Sequence, residues 1–346
     1  MLGKNIKYSR LKNGLTKKAL AEKVGISSMA ITHYENGERT PDMQILRKLT
    51  DALQVKLVDL LRNRTENHEY AHGEFRRNST LTVSAQEYVR ENVEEYFDRF
   101  FSVIDILGDN ALPKPPVCHA IQATGDAEAD AAQLRKYLGF APEGPVMNLV
   151  GAMENKGVLM FIDYIESDKF SGMNGLVDDR PFIIINSKMT AERQRSTLVH
   201  ELAHVFFAFD RMEEAAIEKH ATAIGGAFLF PKEDAERELG LHRTRITSDM
   251  VMVAKEYGIS MLMLVKRASL LRIISMPVYE DFMIQASQHG WRKNEPSRID
   301  VEYSDLFDQL VIRAIGEDEI SPQKGAELLK ISYAEMIRKI RLHEEA

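Results

Sequence analysis

Residues 196–209 read STLVHELAHVFFAF, and this stretch decides how the middle of the chain folds. His200 and His204 are four residues apart, and Glu201 follows the first of them in an otherwise apolar run. Residues four apart lie one above the other on a helix face, so both imidazoles would project from the same side. The stretch therefore predicts a helix that either holds a metal ion or carries two buried histidines in its core.

The spacing of the two histidines is the one that zinc requires of a pair of helical ligands. Glu201 lies about 100° round the helix from His200, so its carboxylate can reach a water on the metal without being a ligand. Zinc lowers the pKa of such a water towards about 7, and a carboxylate can accept the proton. The H-E-x-x-H pattern thus predicts His200 and His204 as zinc ligands and Glu201 as the catalytic general base.

A zinc site of this kind needs a third protein ligand. The next predicted helix, residues 213–231, offers both Glu218 and His220. These two residues lie on opposite flanks of its apolar face, so the helical projection leaves both open as the third ligand. The centre of that face consists of four residues, Ile217, Ala221, Ile224 and Phe228.

Two strand candidates, residues 158–165 and 181–186, precede the histidine-bearing helix. Both are rich in β-forming residues and are bounded by Gly, Asp or Pro. The intervening segment, ESDKFSGMNGLVDDR, is predicted to be an irregular loop. A strand in this position could pair with an extended peptide.

Charge is distributed unevenly along the chain. Residues 1–64 contain 13 lysines and arginines against 6 aspartates and glutamates, a net charge of +7. The rest of the chain contains 32 against 46, a net charge of −14. A small basic module on an acidic body indicates that the N-terminal part binds an anion such as DNA.

Residues 5–61 are predicted to form five short helices, of which the second and third fit a helix-turn-helix. Thr16 and Ser27 are suitable N-caps, and Gly25 suits the tight turn between the two helices. A bundle of this kind could instead serve protein contacts. The predicted DNA-binding residues are Ser27, Ser28, Met29, Thr32 and His33, at the start and outer face of the third helix, and Lys17, Lys18 and Asn36 for phosphates.

The N-terminal segment TKKALAEKVGISSMAITHYENGERTPDMQILRKLTDAL, residues 16–53, resembles the XRE, or Cro/cI-type, DNA-binding domain. The resemblance rests on the pattern L-A…G-I-S…I…E-x-G…P…L…L. Lys17 stands where this family often has Gln, a change that keeps a phosphate contact but not a directional amide contact. The resemblance implies a double-stranded DNA operator bound by a homodimer.

The segment EKHATAIGGAFLFP, residues 218–231, is similar to the pattern E-x-x-A-N-x-F-A-x-x-L-L-M-P that follows H-E-x-x-H in the ImmA/IrrE family of metallopeptidases. This resemblance implies that Glu218 is the third zinc ligand. Three residues depart from the family pattern, with Thr222, Ile224 and Gly225 in place of Asn, Phe and Ala. Residues 144–158 and 290–296 resemble further segments of the family.

Together the two resemblances imply a DNA-binding regulator that carries a Zn²⁺-dependent endopeptidase and cleaves a protein substrate such as a repressor. Two alternatives remain open at this point. The protease domain could only sense a metal or ligand without hydrolysis, or the chain could be an antitoxin-like interaction protein that binds its partner without cleaving it.

The predicted fold is mainly α with a small β-sheet. It comprises an all-α helix-turn-helix domain (1–64), a linker (65–83), a helical segment (84–145), an α+β zincin-like core (146–232) and a C-terminal helical region (233–346). Two pairs in that last region, MVAKEYGIS (252–260) and GAELLKIS (325–332), repeat the pattern of ALAEKVGIS (19–27) and are predicted to be structural. The single cysteine, and the lack of a signal peptide or of an apolar run of about 20 residues, predict a cytoplasmic protein without membrane contact.

Overall fold

The computed structural model describes residues 1–62, 68–73, 81–210 and 212–341. The chain divides into two compact units. One comprises Met1–Glu69, Phe75–Ala111 and Leu310–Ala346, and the other comprises Tyr70–Glu74 and Leu112–Gln309. Each unit combines segments that are separated in sequence, whereas each predicted domain is one continuous segment. The predicted domain boundaries therefore stay a prediction.

The N-terminal part of the first unit consists of α1 (Leu2–Lys12), α2 (Lys17–Val24), α3 (Ser28–Glu35), α4 (Met43–Leu53) and α5 (Leu57–Leu61). As predicted, the side chains of Thr16 and Ser27 cap α2 and α3 by accepting backbone N–H groups. Gly25 ends α2 in the left-handed region at φ 77°, a conformation that glycine adopts without strain. The core of these helices is formed by apolar residues that include Ile6, Leu20, Ile31 and Leu49.

The predicted linker is only partly described, because residues 65–67 and 74–80 lie outside the described residues. Within it, Tyr70–His72 forms a short strand, β1, and Thr82 caps α6 (Val83–Leu107). A strand of three residues is too short for an alternating pattern to show in the sequence. Its presence in the linker was therefore not predicted.

The second unit continues with β2 (Ile121–Gln122), α7 (Ala127–Tyr137), α8 (Leu149–Glu154), β3 (Leu159–Asp163), β4 (Gly172–Val177), β5 (Arg180–Asn186), α9 (Ala191–Phe206), β6 (Phe207–Ala208), α10 (Glu214–Leu229), α11 (Lys232–Leu239), α12 (Ser248–Tyr257), α13 (Met261–Leu270) and α14 (Met276–Gln288). One sheet has the order β1-β4-β5-β3, in which β3 and β5 are parallel and the other pairs antiparallel. β2 and β6 form a separate parallel pair. A largely helical chain with a small sheet is the predicted fold class, which is confirmed.

β4 lies in the segment that the sequence predicted to be an irregular loop, and that prediction was wrong. Glycine is depleted in strands, and two glycines interrupt the β-forming residues here. In the structure Gly175 is needed because the sheet leaves no room for a side chain: an added Cβ would lie 2.4 Å from Cζ of Phe182 on β5. The close packing of Phe182 therefore explains why residue 175 is glycine, and this glycine is one reason why the sequence did not predict the strand.

α9 packs against β4, β5 and α10 through buried apolar residues that include Leu198, Val199, Leu202 and Phe206. Thr190 caps the helix as expected, with its hydroxyl accepting the N–H of Arg193. The same core extends to α7 and to the helices that follow α10. The histidine-bearing helix is thus held at the centre of the second unit.

The chain ends with α15 (Leu306–Gly316), α16 (Pro322–Leu329) and α17 (Tyr333–Ile340). The pairs α12–α13 and α16–α17 each turn through a left-handed residue, Gly258 and Lys330 respectively. The positions of α13 that correspond to Ser28 and Thr32 of α3 are occupied by Met261 and Val265, which are buried in the core, so this helix does not present the face that would contact DNA. Among the described residues, no helix combines the length and apolar character needed to cross a membrane.

Candidate metal centre and DNA-binding surface

β4 runs along one face of α9, and the alignment of the two elements determines which strand residue contacts Glu201. An added Cβ on Gly172 would lie 2.8 Å from Cγ2 of Thr197. Two residues further along the strand, Nδ2 of Asn174 donates a 2.8 Å hydrogen bond to Oε2 of Glu201. A step of two residues along the strand spans about 6.6 Å, and a step of four residues along the helix spans about 6.0 Å. The strand and the helix therefore stay aligned from the first contact to the second.

Three side chains from α9 and α10 converge on one point. Nε2 of His204 lies 3.2 Å from Oε1 of Glu218, and Nε2 of His200 lies 3.5 Å from Oε2 of the same carboxylate. The two Nε2 atoms are 3.2 Å apart. One ligand atom from each residue lies within 4.8 Å of the others, so the three could hold a metal ion. Two imidazoles and a carboxylate are a donor set that suits zinc.

Thr222 fixes the orientation of one imidazole. Its hydroxyl donates a 2.9 Å hydrogen bond to the carbonyl oxygen of Glu218. Because the hydroxyl has one hydrogen, its oxygen accepts from Nδ1 of His200, which lies 3.2 Å away. A proton on Nδ1 leaves the lone pair on Nε2, the nitrogen that faces Glu218 and His204. Thr222, which departs from the family pattern, therefore contacts a candidate metal ligand.

His220, the other candidate third ligand, has a different partner. Its Nε2 lies 2.7 Å from Oδ2 of Asp130, a fully buried residue of α7. Asp130 also accepts hydrogen bonds from the backbone and hydroxyl of Thr124. The structure thus brings Glu218 to the two histidines, and places His220 in a buried polar contact with Asp130.

Glu201 is 6% exposed and follows His200 directly on α9. Its partner Asn174 was not predicted as a functional residue, because it lies in the segment interpreted as a loop. Thr222 was noted only as a departure from the family pattern and was not predicted to contact a ligand. Both contacts depend on side-chain geometry between elements that are distant in sequence, for which the residue pattern carries no signal.

The predicted DNA-binding residues lie together on α2, α3 and the turn after α3. Ser27, Ser28, Lys18 and Asn36 are exposed, and Met29 is 63% exposed. Thr32, His33 and Lys17 are half-buried. Lys17 is partly directed to its own domain, since its Nζ lies 3.7 Å from Glu35. An exposed face of α3 flanked by lysines has the form that a recognition helix needs.

Glu38 contacts two of these residues. Nδ2 of Asn36 donates a 2.8 Å hydrogen bond to its Oε1, and Nδ1 of His33 contacts its Oε2. The hydrogen bond from Asn36, followed by that from His33, lowers the pKa of Glu38 from its ordinary value. Glu38 therefore places a carboxylate among side chains that were predicted to contact DNA.

Residues 6–60 match the helix-turn-helix family model, and residues 159–269 match the family model described as the IrrE N-terminal-like domain. The chain carries an XRE-type helix-turn-helix domain and an ImmA/IrrE-like domain. The helix-turn-helix domain includes all of the predicted DNA-binding residues. The IrrE-like domain includes the three candidate ligands, Glu201, Asn174 and Thr222.

The chain is similar over a short segment to two curated proteins of Bacillus subtilis (strain 168). It is 39% identical over 62 residues to the uncharacterized HTH-type transcriptional regulator YqaE, covering 18% of this chain and 53% of that protein. It is 40% identical over 60 residues to the HTH-type transcriptional regulator ImmR, covering 17% of this chain and 47% of that protein. The chain thus spans about half the length of the curated relatives it matches.

One solved structure, ComR from S. thermophilus in complex with DNA and its signalling peptide ComS, aligns over 98% of this chain and 99% of that chain. The identity is 8% and the TM-score is 0.17, a likeness too weak to carry an argument.

Proposed function

We propose that this protein is a DNA-binding transcriptional regulator whose IrrE-like domain is a zinc-dependent endopeptidase that cleaves a partner regulatory protein such as a repressor. The observation that carries the proposal is the convergence of His200, His204 and Glu218, with Glu201 directly after His200 on the same helix. The helix-turn-helix domain in the same chain supports a role in gene control.

The donor set fits Zn²⁺, with His200, His204 and Glu218 as the ligands. When bound there, zinc supplies a Lewis acid that polarises the peptide carbonyl and lowers the pKa of a water. Thr222 keeps His200 in the tautomer that ligation requires. These residues fix the site before any substrate binds.

Glu201 is the proposed general base. The amide of Asn174 binds its Oε2, which orients the carboxylate so that Oε1 accepts a proton from the attacking water. The same carboxyl group then donates that proton to the nitrogen of the departing amine. Hydrolysis of a peptide bond is balanced by these two transfers, and Glu201 returns to its initial state.

The proposed DNA target is a double-stranded operator read by the exposed face of α3. Lys17, Lys18 and Asn36 would contact phosphates, which position the domain without reading sequence. Helix-turn-helix domains of this form bind two half-sites as dimers, so we propose a homodimer on DNA.

The test combines zinc content with hydrolysis of fluorescent casein. Wild type, Glu201→Gln and His220→Gln should bind stoichiometric zinc, whereas Glu218→Gln and the His200→Ala, His204→Ala double variant should lose it. Casein should be cleaved only by wild type and His220→Gln. Equal zinc in wild type and the double variant would overturn the metal site. Equal casein cleavage by wild type and Glu201→Gln would overturn the assignment of the base.

A second candidate is a transcription factor whose IrrE-like domain senses a metal or ligand without hydrolysis. One observation favours it: the edge of β4 beside Glu201 is paired with the chain's own β1. In this case Glu201→Gln would leave regulation of a reporter gene in cells unchanged. Loss of regulation with zinc retained would support the peptidase.

A further inference from the structure

The outer edge of β4 is occupied by a segment of the chain's own linker. β1 pairs antiparallel with β4, with Tyr70 opposite Val177 and His72 opposite Gly175. The pairing continues one residue further, since the N–H of Gly73 donates a 2.9 Å hydrogen bond to the carbonyl oxygen of Asn174. The segment therefore ends against the residue whose side chain binds Glu201.

The two strands approach each other closely. A Cβ added to Gly73 would lie 2.5 Å from the carbonyl oxygen of Asn174, and one added to Gly175 would lie 2.7 Å from that of Ala71. The ring of His72 contacts Phe182 edge-on at 6.0 Å between centroids and stacks with Tyr70 at 5.9 Å. The edge of β4 is thus paired with an extended backbone that carries two stacked aromatic side chains, one of which contacts Phe182.

The segment is short and none of its residues is fully buried. β1 has three residues, Ala71 is exposed, and Tyr70, His72 and Gly73 are half-buried. Each backbone hydrogen bond contributes little net stability, because the separated strands bond to water instead. A short edge strand of this kind can leave its sheet and be replaced by another extended peptide.

We propose that the outer edge of β4 is a docking edge for an extended peptide, and that residues 70–73 are its internal occupant, which an incoming peptide must displace. A tethered segment competes at an effective concentration on the order of millimolar, so it screens the edge against weak ligands. The inference rests on the proposed function in one respect: a substrate that takes this edge would pass Asn174 and Glu201.

The pairing pattern provides a selective variant. Hydrogen-bonded pairs alternate in an antiparallel ladder, so Ala71 opposite Leu176 is the next bonded pair after Gly73 opposite Asn174. Ala71→Pro removes the N–H donor at an exposed position, whereas Ala71→Thr keeps the donor and favours a strand. Gly73→Ala is a second disrupting variant, because its Cβ would collide with Asn174.

The experiment measures binding of a fluorescein-labelled HEYAHG peptide, residues 68–73, to the full-length variants by anisotropy. Ala71→Pro and Gly73→Ala should bind it at least tenfold more tightly than wild type and Ala71→Thr, and more tightly than a scrambled peptide. Equal affinity of all four proteins, or of the native and scrambled peptides, would overturn the proposal. Gly73→Ala decides the outcome if Ala71→Pro does not fold.

Casein hydrolysis by the same proteins separates this inference from the proposed function. Tighter peptide binding by the two disrupting variants, with no casein cleavage by any protein, supports the docking edge and refutes the peptidase. Cleavage by wild type, with unchanged peptide affinity in the disrupting variants, supports the peptidase and refutes the docking edge.

Discussion

The hydroxyl of Thr222 lies 3.2 Å from Nδ1 of His200, while the same hydroxyl donates to the carbonyl oxygen of Glu218 one turn earlier on α10. One side chain thus connects two of the three candidate metal ligands. Groups that hydrogen-bond a ligating histidine fix its tautomer and its ring orientation. Thr222 is therefore a positioning residue for the proposed zinc site.

Replacing Thr222 with Val keeps the shape of the side chain and removes the hydrogen bond. Zinc affinity should fall by about 10–100-fold, as is common when such a partner of a ligating histidine is lost. Thr222→Ser keeps the hydroxyl and should retain the affinity. Competition with a chromophoric chelator measures both values. Equal affinities for the Val and Ser variants would show that the hydroxyl does not orient His200.

Asn174 should affect hydrolysis without affecting metal content. Asn174→Ala removes the donor that holds Oε2 of Glu201, and a base displaced by about 1 Å can cost about 100-fold in rate. We expect this loss in kcat for casein cleavage, with KM and zinc content retained. The exposed Asn155 on the same unit provides the control, since Asn155→Ala should cleave at the wild-type rate. A matching loss in both variants would contradict the positioning role.

The sequence predicted the parts of the site that one helix determines. His200, Glu201 and His204 share α9, so their relative directions follow from helical geometry alone. The caps at Thr16 and Ser27 likewise depend only on local backbone. Such features need no knowledge of the rest of the fold.

The remaining parts depend on contacts between distant segments. The helical projection left Glu218 and His220 equally open, and what distinguishes their surroundings is Asp130 on α7, which lies 90 residues before His220. Asn174 was hidden because β4 contains the glycines that close packing against Phe182 requires. β1 was hidden because three residues form no periodic pattern.

Glu154 should make the stability of the second unit depend on pH. Burial raises its pKa to about 7 from the ordinary 4.5, and the hydrogen bond from Ser304 only partly opposes this. Between these values the folded state holds a proton that the unfolded state has released. The contribution of this proton to the free energy of unfolding is fully present below pH 4.5 and is lost as the pH rises through 7.

Glu154→Gln should abolish this dependence and stabilise the protein at pH 8 by up to about 3 kcal/mol. Urea unfolding between pH 5 and 8 measures the effect, and Glu233→Gln, at an exposed position on α11, is the control. If the wild type gains stability as the pH rises over this range, the direction assigned to Glu154 is wrong.

Glu38 should weaken DNA binding by the helix-turn-helix domain. Its carboxylate engages His33 and Asn36, and it adds a negative charge where phosphates would approach. Glu38→Ala releases both side chains and removes that repulsion. We expect affinity for a short mixed-sequence duplex to rise about tenfold at low salt.

A matched charge variant separates these two effects from a general change in net charge. Asp51→Ala removes one negative charge from an exposed position of α4, a helix that carries none of the predicted DNA-binding residues. It should raise affinity much less than Glu38→Ala, and its plot of log affinity against log salt should keep the wild-type slope. Glu38→Ala should keep a similar slope, because the released Asn36 is uncharged and its contact with a phosphate releases no counterion. If the two variants raised DNA affinity equally, only net charge would matter, and the contacts of Glu38 with His33 and Asn36 would not restrain DNA binding.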